Sequence, residues 1–233
     1  MTMKKIAITL AVIIGILVVA KTVGILVNYT IPTSSNEPTI MTDSHIITTS
    51  LKHPSAGQFA AFHPPLPEVP NQKQIYIKRL CGIGGDEIEM KNAVFYLNGK
   101  NFDEDLELQF SFIVDDQTYK SINKKYPITD ANKVSDNVYQ VNITDKIAKE
   151  FGVESKKDVQ TVPEAGPPVF IEFNTDGVWT RDNFGPITIP AGQTFFMGDN
   201  RHYSYDCRFF GFVPEEDIKD LSKTLHEAFK VAT

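Results

Sequence analysis

The chain has 233 residues, of which 42% are hydrophobic, and its formal net charge is −6. This hydrophobic content excludes a disordered chain, and the acidic balance gives no reason to expect a nucleic-acid partner. Fourteen glycines, fourteen prolines and sixteen phenylalanines, spread among turn signals, favour short strands over long helices. We therefore predict a mainly β fold.

The N-terminal stretch is typical of a membrane anchor. From Ile6 to Val27 the residues are apolar or small apart from one lysine and two threonines, and as a helix they would span about 33 Å. A cleaved secretory signal also begins with lysines before an apolar run. However, the apolar character resumes after Lys21, and no small-x-small cleavage site follows at a suitable distance. Lys4 and Lys5 predict a cytoplasmic N-terminus, with the rest of the chain outside the cytoplasm.

Two kinds of sequence follow the anchor. Short apolar runs punctuated by Gly and Pro predict a β-rich domain over residues 29–99 and 166–233, after an anchor over 1–28. Asn98-Gly99, after "VFYL", is a strong signal for a two-residue hairpin turn. Residues 100–165 are more charged and predict an inserted α+β lobe. In that lobe "LELQFSFIVD" is typical of a strand, and "TDKIAKEFG" of a short helix that starts near Thr144 or Asp145 and stops at Gly152.

The segment "IPTSSNEPTI", from Ile31 to Ile40, offers three hydroxyl groups in a row and contains no histidine. A serine is a poor nucleophile until a base accepts its proton. None of the five histidines of the chain stands in a recognisable Ser-His-Asp arrangement, although the members of a triad meet in space rather than in sequence.

A lysine is the other candidate base. In "QIYIKRLCGIGGDEIEM" the strand-like alternation places Tyr76, Lys78 and Leu80 on one face. Lys78 is then either solvated at a sheet edge or buried. Burial would lower its pKa from about 10.4 by several units and make the amine a competent general base near neutral pH.

A third segment, "GDNRHYSYDCRFFGFVP" from Gly198 to Pro214, concentrates charged and hydroxyl side chains between aromatic residues. By composition it is a polar loop, and it also holds enough charge for ion pairs and a hydroxyl directed at a neighbouring group.

These three segments, in this order behind an N-terminal anchor, resemble the bacterial type I signal peptidases, serine proteases with a Ser-Lys dyad. The stretch "WTRDNFGPITIPAGQTFFMGDN" is also similar to that family. The matching parts cover the anchor and most of the β-rich sequence, and the inserted lobe stands where the family has a variable second domain. The resemblance implies a signal-peptidase-like catalytic β domain.

The resemblance also implies roles for four residues of the dyad region. Ser35 is the expected nucleophile and Lys78 the general base. The Thr33 hydroxyl and the backbone N–H of Ser35 are the expected oxyanion hole. Ser204 is expected to orient the lysine by a hydrogen bond, whereas Ser34 has no expected role.

Further residues are assigned supporting roles by the same resemblance. Arg79 is expected to pair with Asp199, and Asp206 with Arg208, so that the two pairs hold the segments together. Ile31 is the candidate for lining a substrate pocket.

The chain departs from the family pattern beside the nucleophile. Asn36 replaces the usual methionine, and Glu37 follows it with a carboxylate near the dyad. A nearby anion would raise the pKa of Lys78 unless it points away. Other departures are Gln58 in place of an aspartate, "GIGGD" in place of "GLPGD", and Cys207 in place of a serine.

The implied function is that of a membrane-anchored serine endopeptidase that removes N-terminal signal peptides from exported preproteins. The expected substrates are secretory preproteins bound as extended strands, and the expected location is the bacterial cytoplasmic (inner) membrane, with a single span in the lipid bilayer. No metal or organic cofactor is expected. Ser35 lies eight residues past Val27, so the site is within about 28 Å of the predicted end of the anchor.

Three alternatives remain open. One is a catalytically impaired, signal-peptidase-like protein that binds peptides, in which Asn36 and Glu37 mark lost activity. Another is a specialised peptidase for pilin or plasmid-transfer substrates, with the same motifs. A self-cleaving regulator similar to the LexA-type repressors is less consistent with an anchor and the lack of an obvious DNA-binding segment.

The two cysteines, Cys81 and Cys207, are too few for a disulfide scaffold or a metal cluster. Each lies in a motif expected to approach the site. One disulfide between them is therefore a possibility, provided that their α-carbons lie within about 7 Å.

Overall fold

The computed structural model describes residues 3–51, 53–66, 74–128, 131–163 and 178–222. Over these ranges the fold is mainly β, as predicted. The α-helices are α1 (Met3–Thr22), α2 (Asp116–Lys125), α3 (Asp145–Glu150) and α4 (Cys207–Phe210). The strands are β1 (Leu26–Thr30), β2 (His45–Thr49), β3 (Phe59–Phe62), β4 (Tyr76–Ile83), β5 (Glu87–Lys91), β6 (Val94–Leu97), β7 (Lys100–Asn101), β8 (Gln109–Asp115), β9 (Ala131–Ser135), β10 (Val138–Thr144), β11 (Phe184–Thr188), β12 (Gln193–Met197), β13 (Val213–Pro214) and β14 (Ile218–Ser222).

Helix α1 is long and apolar enough to cross a membrane, and none of its residues is buried against the rest of the protein. It ends earlier than the predicted Val27. The N–H groups of Gly24 and Ile25 bond back to the carbonyls of Lys21 and Ala20, and Gly24 has a φ of 74°. This is a Schellman ending, in which glycine takes the left-handed conformation. The apolar residues from Leu26 onward therefore belong to strand β1 and not to the helix.

Three sheets make up the rest of the described chain. The largest has seven strands in the order β1, β2, β14, β3, β4, β12, β13. A four-stranded sheet runs β11, β5, β6, β7, and a three-stranded sheet runs β8, β10, β9. The first two sheets share a core of aromatic and aliphatic side chains, in which Phe62 and Phe196 stack with ring centroids 4.3 Å apart.

Strand β4 lies between β3 and β12 in the large sheet and carries the candidate lysine. Lys78 lies opposite Ala60 of β3 in antiparallel register. On the other side, β12 pairs with β4 only from Arg79 to Ile83. The N-terminal part of β4 thus has one paired edge, and its second edge is not covered by β12.

The three-stranded sheet and helices α2 and α3 surround a separate apolar cluster that includes Phe112, Val141 and Ala148. The predicted strand is present as β8. The predicted helix is α3, which Thr144 caps by accepting a hydrogen bond from the N–H of Ile147. The hairpin turn is also present, because Asn98 and Gly99 have φ values of 51° and 73° between β6 and β7. The lobe boundaries at 100 and 165 stay a prediction: β7 still pairs with the four-stranded sheet, and residue 165 lies outside the described residues.

The disulfide considered from the sequence is not formed. Cys81 and Cys207 are both free thiols and fully buried. Cys81 Sγ donates to the carbonyl of Arg79 at 3.3 Å, and Cys207 Sγ accepts from the N–H of Phe196 at 3.1 Å. Each sulfur therefore forms a hydrogen bond with a nearby backbone group. Burial raises the pKa of both thiols.

Candidate active site

The hydroxyl of Ser35 and the amine of Lys78 are in direct contact. A 3-10 turn at Ser34–Asn36 carries the serine, and a hydrogen bond joins its Oγ to Lys78 Nζ from the middle of the large sheet. Ser35 is 7% exposed and Lys78 is 5% exposed. Lys78 is therefore buried, and the alternative of a solvated lysine at a sheet edge is excluded. The Thr33 hydroxyl lies 3.1 Å from Ser35 Oγ. The structure thus brings together the three residues on which the predicted chemistry depends.

Burial lowers the pKa of Lys78 to about 8. The loss of hydration disfavours the ammonium form most, and the positive charge of Arg208 acts in the same direction. The carboxylates of Asp206 and Asp199 oppose this shift. A substantial fraction of the lysine is therefore neutral at weakly alkaline pH, as a general base requires.

Backbone and side-chain contacts fix the turn that carries the nucleophile. Asn36 Nδ2 donates to the carbonyl of Ile77 at 2.8 Å, which ties the turn to β4 next to the lysine. The side chain of Asn200 donates to the carbonyl of Ser34 at 3.1 Å, and its backbone N–H donates to that of Ser35 at 3.2 Å. These bonds hold the turn on both sides.

Gly198 packs directly against the same turn. A Cβ atom at this position would lie 2.2 Å from the carbonyl oxygen of Ser35 and 2.4 Å from Ser204 Oγ. The glycine is required by this close approach, because neither a backbone oxygen nor a buried serine can move away cheaply.

The two expected ion pairs are present in the structure. Arg79 binds Asp199 through Nε at 2.7 Å and through a second nitrogen at 2.5 Å, with Asp199 1% exposed. Arg208 Nε and Nη2 donate to the two oxygens of Asp206, each at 2.9 Å, and both side chains are fully buried. Burial alone would raise the pKa of Asp206, but Arg208 holds it below its ordinary value.

The expected hydrogen bond from Ser204 to Lys78 is not made in this structure. Ser204 is buried, and its Oγ has no well-aligned hydrogen-bond partner among the described residues. It does lie close enough to the Asp206 carboxylate to help lower its pKa. The orienting role of Ser204 therefore stays a prediction.

Asn36 and Glu37, the departures beside the nucleophile, are both buried. The Glu37 carboxylate accepts hydrogen bonds from the N–H and the hydroxyl of Thr42, at 3.1 and 2.8 Å. The carboxylate therefore points toward Thr42, within the loop that follows the nucleophile. Asn36 Oδ1 has no hydrogen-bond partner among the described residues.

A pocket of 330 Å³ opens beside the dyad, and Ile31, the predicted lining residue, is part of its wall. Asn36 and Tyr76 also line it, and so do residues that the sequence did not single out, namely Tyr29, Thr30, Pro32, Ile75, Ile77, Tyr203 and Tyr205. The aromatic residues of the third segment were a usable signal for two of them. Tyr29 had no such signal, because an isolated tyrosine in a strand is ordinary, whereas the strand alternation had placed Tyr76 on the same face as Lys78.

Among the described residues, no group of three or more His, Cys, Asp or Glu side chains is arranged to hold a metal ion. The charged side chains around the dyad are instead paired with one another.

Comparisons with known proteins agree on one family. The family model described as "Signal peptidase, peptidase S26" matches residues 3–225. The chain is 28% identical to signal peptidase I of Aquifex aeolicus, an alignment that covers 87% of this chain and 76% of that protein. It is 25% identical to signal peptidase IB of Staphylococcus aureus, over 82% and 72% of the two chains. A solved structure of a signal peptidase I from Enterococcus faecalis aligns with a TM-score of 0.36 at 21% identity, over 74% of this chain and 98% of that one.

Proposed function

We propose that Ser35 is the nucleophile and Lys78 the general base of this chain. The chain belongs to the signal peptidase family and is a serine endopeptidase that removes signal peptides. The observation that carries this proposal is the contact between Ser35 Oγ and a buried lysine whose pKa is about 8. A buried neutral amine beside a hydroxyl supplies what a histidine supplies in other serine proteases.

Acylation begins when the neutral Lys78 accepts the proton of Ser35 as Oγ attacks the carbonyl carbon of the scissile bond. The negative charge then develops on the carbonyl oxygen. The Thr33 hydroxyl and the N–H of Ser35 stabilise this oxyanion, since both belong to the segment that carries the nucleophile. Donors of this kind act on charge that is absent from the bound substrate, so they increase kcat.

The tetrahedral intermediate collapses when the Lys78 ammonium gives its proton to the leaving amine. The C–N bond breaks, the mature protein departs, and the signal peptide stays as an ester on Ser35. A water molecule then loses a proton to Lys78 and attacks the ester. The returned proton regenerates the Ser35 hydroxyl, so that the chain ends the cycle unchanged.

The substrate binds as an extended strand along the edge of β4 that β12 does not cover, beside the Ile77 carbonyl that Asn36 Nδ2 binds. Residues Tyr76 to Lys78 pair with β3 on one side, whereas β12 reaches only Arg79 on the other. The pocket beside this edge, lined by Ile31 and several tyrosines, receives a side chain close to the cleavage point. Backbone pairing supplies affinity without regard to sequence, and the pocket supplies specificity.

The bilayer brings the enzyme and its substrate together. Helix α1 is the anchor in the bacterial cytoplasmic membrane, with Lys4 and Lys5 on the cytoplasmic side and the β domain outside. Strand β1 follows α1 almost at once, and Ser35 follows β1 by five residues. A preprotein held in the same membrane by its own apolar segment meets the site near this surface.

The alternative of an impaired, peptide-binding relative rested on Asn36 and Glu37. The Glu37 carboxylate is bound by Thr42, and Asn36 ties the turn to β4. Neither residue therefore removes a group that the dyad or the oxyanion hole uses, and a catalytic function is favoured.

The test is cleavage of a purified preprotein by the full chain in detergent or liposomes. We expect Ser35→Ala and Lys78→Met each to lower the rate by at least about a thousandfold. The matched control is Ser34→Ala, which removes a neighbouring hydroxyl and is expected to cleave normally. If Lys78→Met kept most of its activity, the dyad assignment would be wrong.

A further inference from the structure

A hydrogen-bonded chain runs from the inserted lobe to the turn that carries Ser35. Asn142 lies on β10 of the lobe, and its Nδ2 donates to Asn200 Oδ1 at 2.5 Å. Asn200 Nδ2 in turn donates to the carbonyl oxygen of Ser34 at 3.1 Å. Asn200 is fully buried and Asn142 is 6% exposed, so water does not compete freely for these bonds.

We propose that Asn142 is a positioning residue for the nucleophile, and that the inserted lobe thereby takes part in organising the active site. The inference rests on the proposed role of Ser35. Asn142 touches neither the dyad nor the pocket. It acts through Asn200, which holds the turn by its side chain at Ser34 and by its backbone N–H at Ser35.

The physical reason lies in the asymmetry of an amide side chain. One end of Asn200 is an acceptor and the other a donor, and only the donor end can bind the Ser34 carbonyl. The Asn142 donor binds the oxygen of Asn200 and so fixes which end faces the turn. Without that donor, the amide of Asn200 can turn over and direct its oxygen at the Ser34 carbonyl, where the two oxygens repel.

The backbone of the lobe approaches the same segment. The N–H of Gln109, the first residue of β8, donates to the carbonyl of Asp199, and the N–H of Arg201 donates to the carbonyl of Gln109, at 3.0 and 2.9 Å. Asn200 lies between these two bonds. This hydrogen-bonded relay, from Asn142 through Asn200 to Ser34, therefore rests on a segment that the lobe binds on both sides of Asn200.

The first measurement is preprotein cleavage by full-length variants, with kcat and KM determined separately. We expect Asn142→Ala to lower kcat about tenfold, the loss typical of one buried hydrogen bond, with KM within about twofold. Asn142→Asp should lower kcat about a hundredfold, because its carboxylate forces Asn200 into the reversed orientation. In an Asn200→Ala background, Asn142→Ala should change kcat less than about twofold, since the relay is already broken.

The matched control is Gln140→Ala, on the same face of β10 two residues away. Gln140 binds Asp158 inside the lobe at 2.9 Å and does not contact Asn200. This variant loses a hydrogen bond of the lobe but keeps the relay. We expect its kcat to stay within about twofold of the wild type.

The second measurement is hydrogen–deuterium exchange of a peptide that covers residues 31–40. Uptake should rise in Asn142→Ala and stay unchanged in Gln140→Ala. An Asn142→Ala variant with normal kcat and normal uptake would overturn the proposal, and so would an equal loss in Gln140→Ala. If the wild-type chain cleaved no preprotein, the proposed function would fail, whereas the exchange would still decide whether Asn142 holds the turn.

Discussion

The carboxylate of Glu37, two residues after Ser35, is bound by both donors of Thr42, its backbone N–H and its hydroxyl. These two hydrogen bonds close the loop that follows the nucleophile and turn the Glu37 carboxylate toward Thr42. The charges with the largest effects on the pKa of Lys78 are instead those of Asp206, Arg208 and Asp199.

Glu37→Gln tests this arrangement. We expect the midpoint of the pH–rate profile to stay where it is in the wild type, because the glutamine keeps an oxygen for Thr42 and Glu37 is not among the charges with the largest effects on Lys78. A carboxylate that did act there would raise the lysine pKa by about one unit or more. A downward shift of that size in the Glu37→Gln profile would show that its charge reaches the base.

The pH dependence of cleavage follows from the pKa of Lys78, which burial lowers to about 8. The base is inactive as an ammonium ion, so activity is lost as the pH falls below this value and gained as it rises. We expect kcat/KM to increase through pH 8 and to level off above about pH 9. The midpoint should match that of Lys78 titrated directly by NMR in the Ser35→Ala variant. A profile with a midpoint near pH 6 would instead point to a histidine or a carboxylate as the base.

Thr33→Val tests the oxyanion hole. The substitution keeps the shape of the side chain and removes the hydroxyl that lies 3.1 Å from Ser35 Oγ. Loss of one such donor typically costs between about a hundredfold and a thousandfold in kcat. We expect a fall of this order with little change in KM. Thr33→Ser, which restores a hydroxyl, should recover most of the rate; equal losses in both variants would assign Thr33 a packing role only.

Gly198→Ala tests the contact between the third segment and the nucleophile turn. The added methyl group would lie 2.2 Å from the Ser35 carbonyl oxygen, so the turn and the segment must separate. We expect cleavage to fall by at least about a hundredfold, because misplacement of about 1 Å is that costly. Gly15→Ala in α1, where no atom other than the backbone of the helix itself lies within 4 Å of the new group, is the control. Normal activity in Gly198→Ala would show that this close approach is not needed.

Much of the fold follows from local rules that the sequence obeys. The hairpin at Asn98 and Gly99 and the Thr144 cap of α3 depend on residues within four positions of each other, so they are readable before any tertiary contact is known. The end of α1 was misplaced because Leu26 and Val27 are as apolar as the helix before them. Gly24 ends the helix locally, and pairing with Thr49 and Thr48 of β2 makes Leu26 and Val27 part of a strand.

By itself the sequence determined the class of chemistry. The order of the serine, lysine and third segments behind an apolar helix resembles the signal peptidase family, and that resemblance points to Ser35 and Lys78. The tertiary structure decided the state of each group. It buries Lys78 and thereby lowers its pKa, turns Glu37 toward Thr42, leaves the two cysteines as buried thiols, and brings Asn142 of the lobe within reach of Asn200. Burial, direction and distance between remote residues arise only when the sheets pack, and no local pattern encodes them.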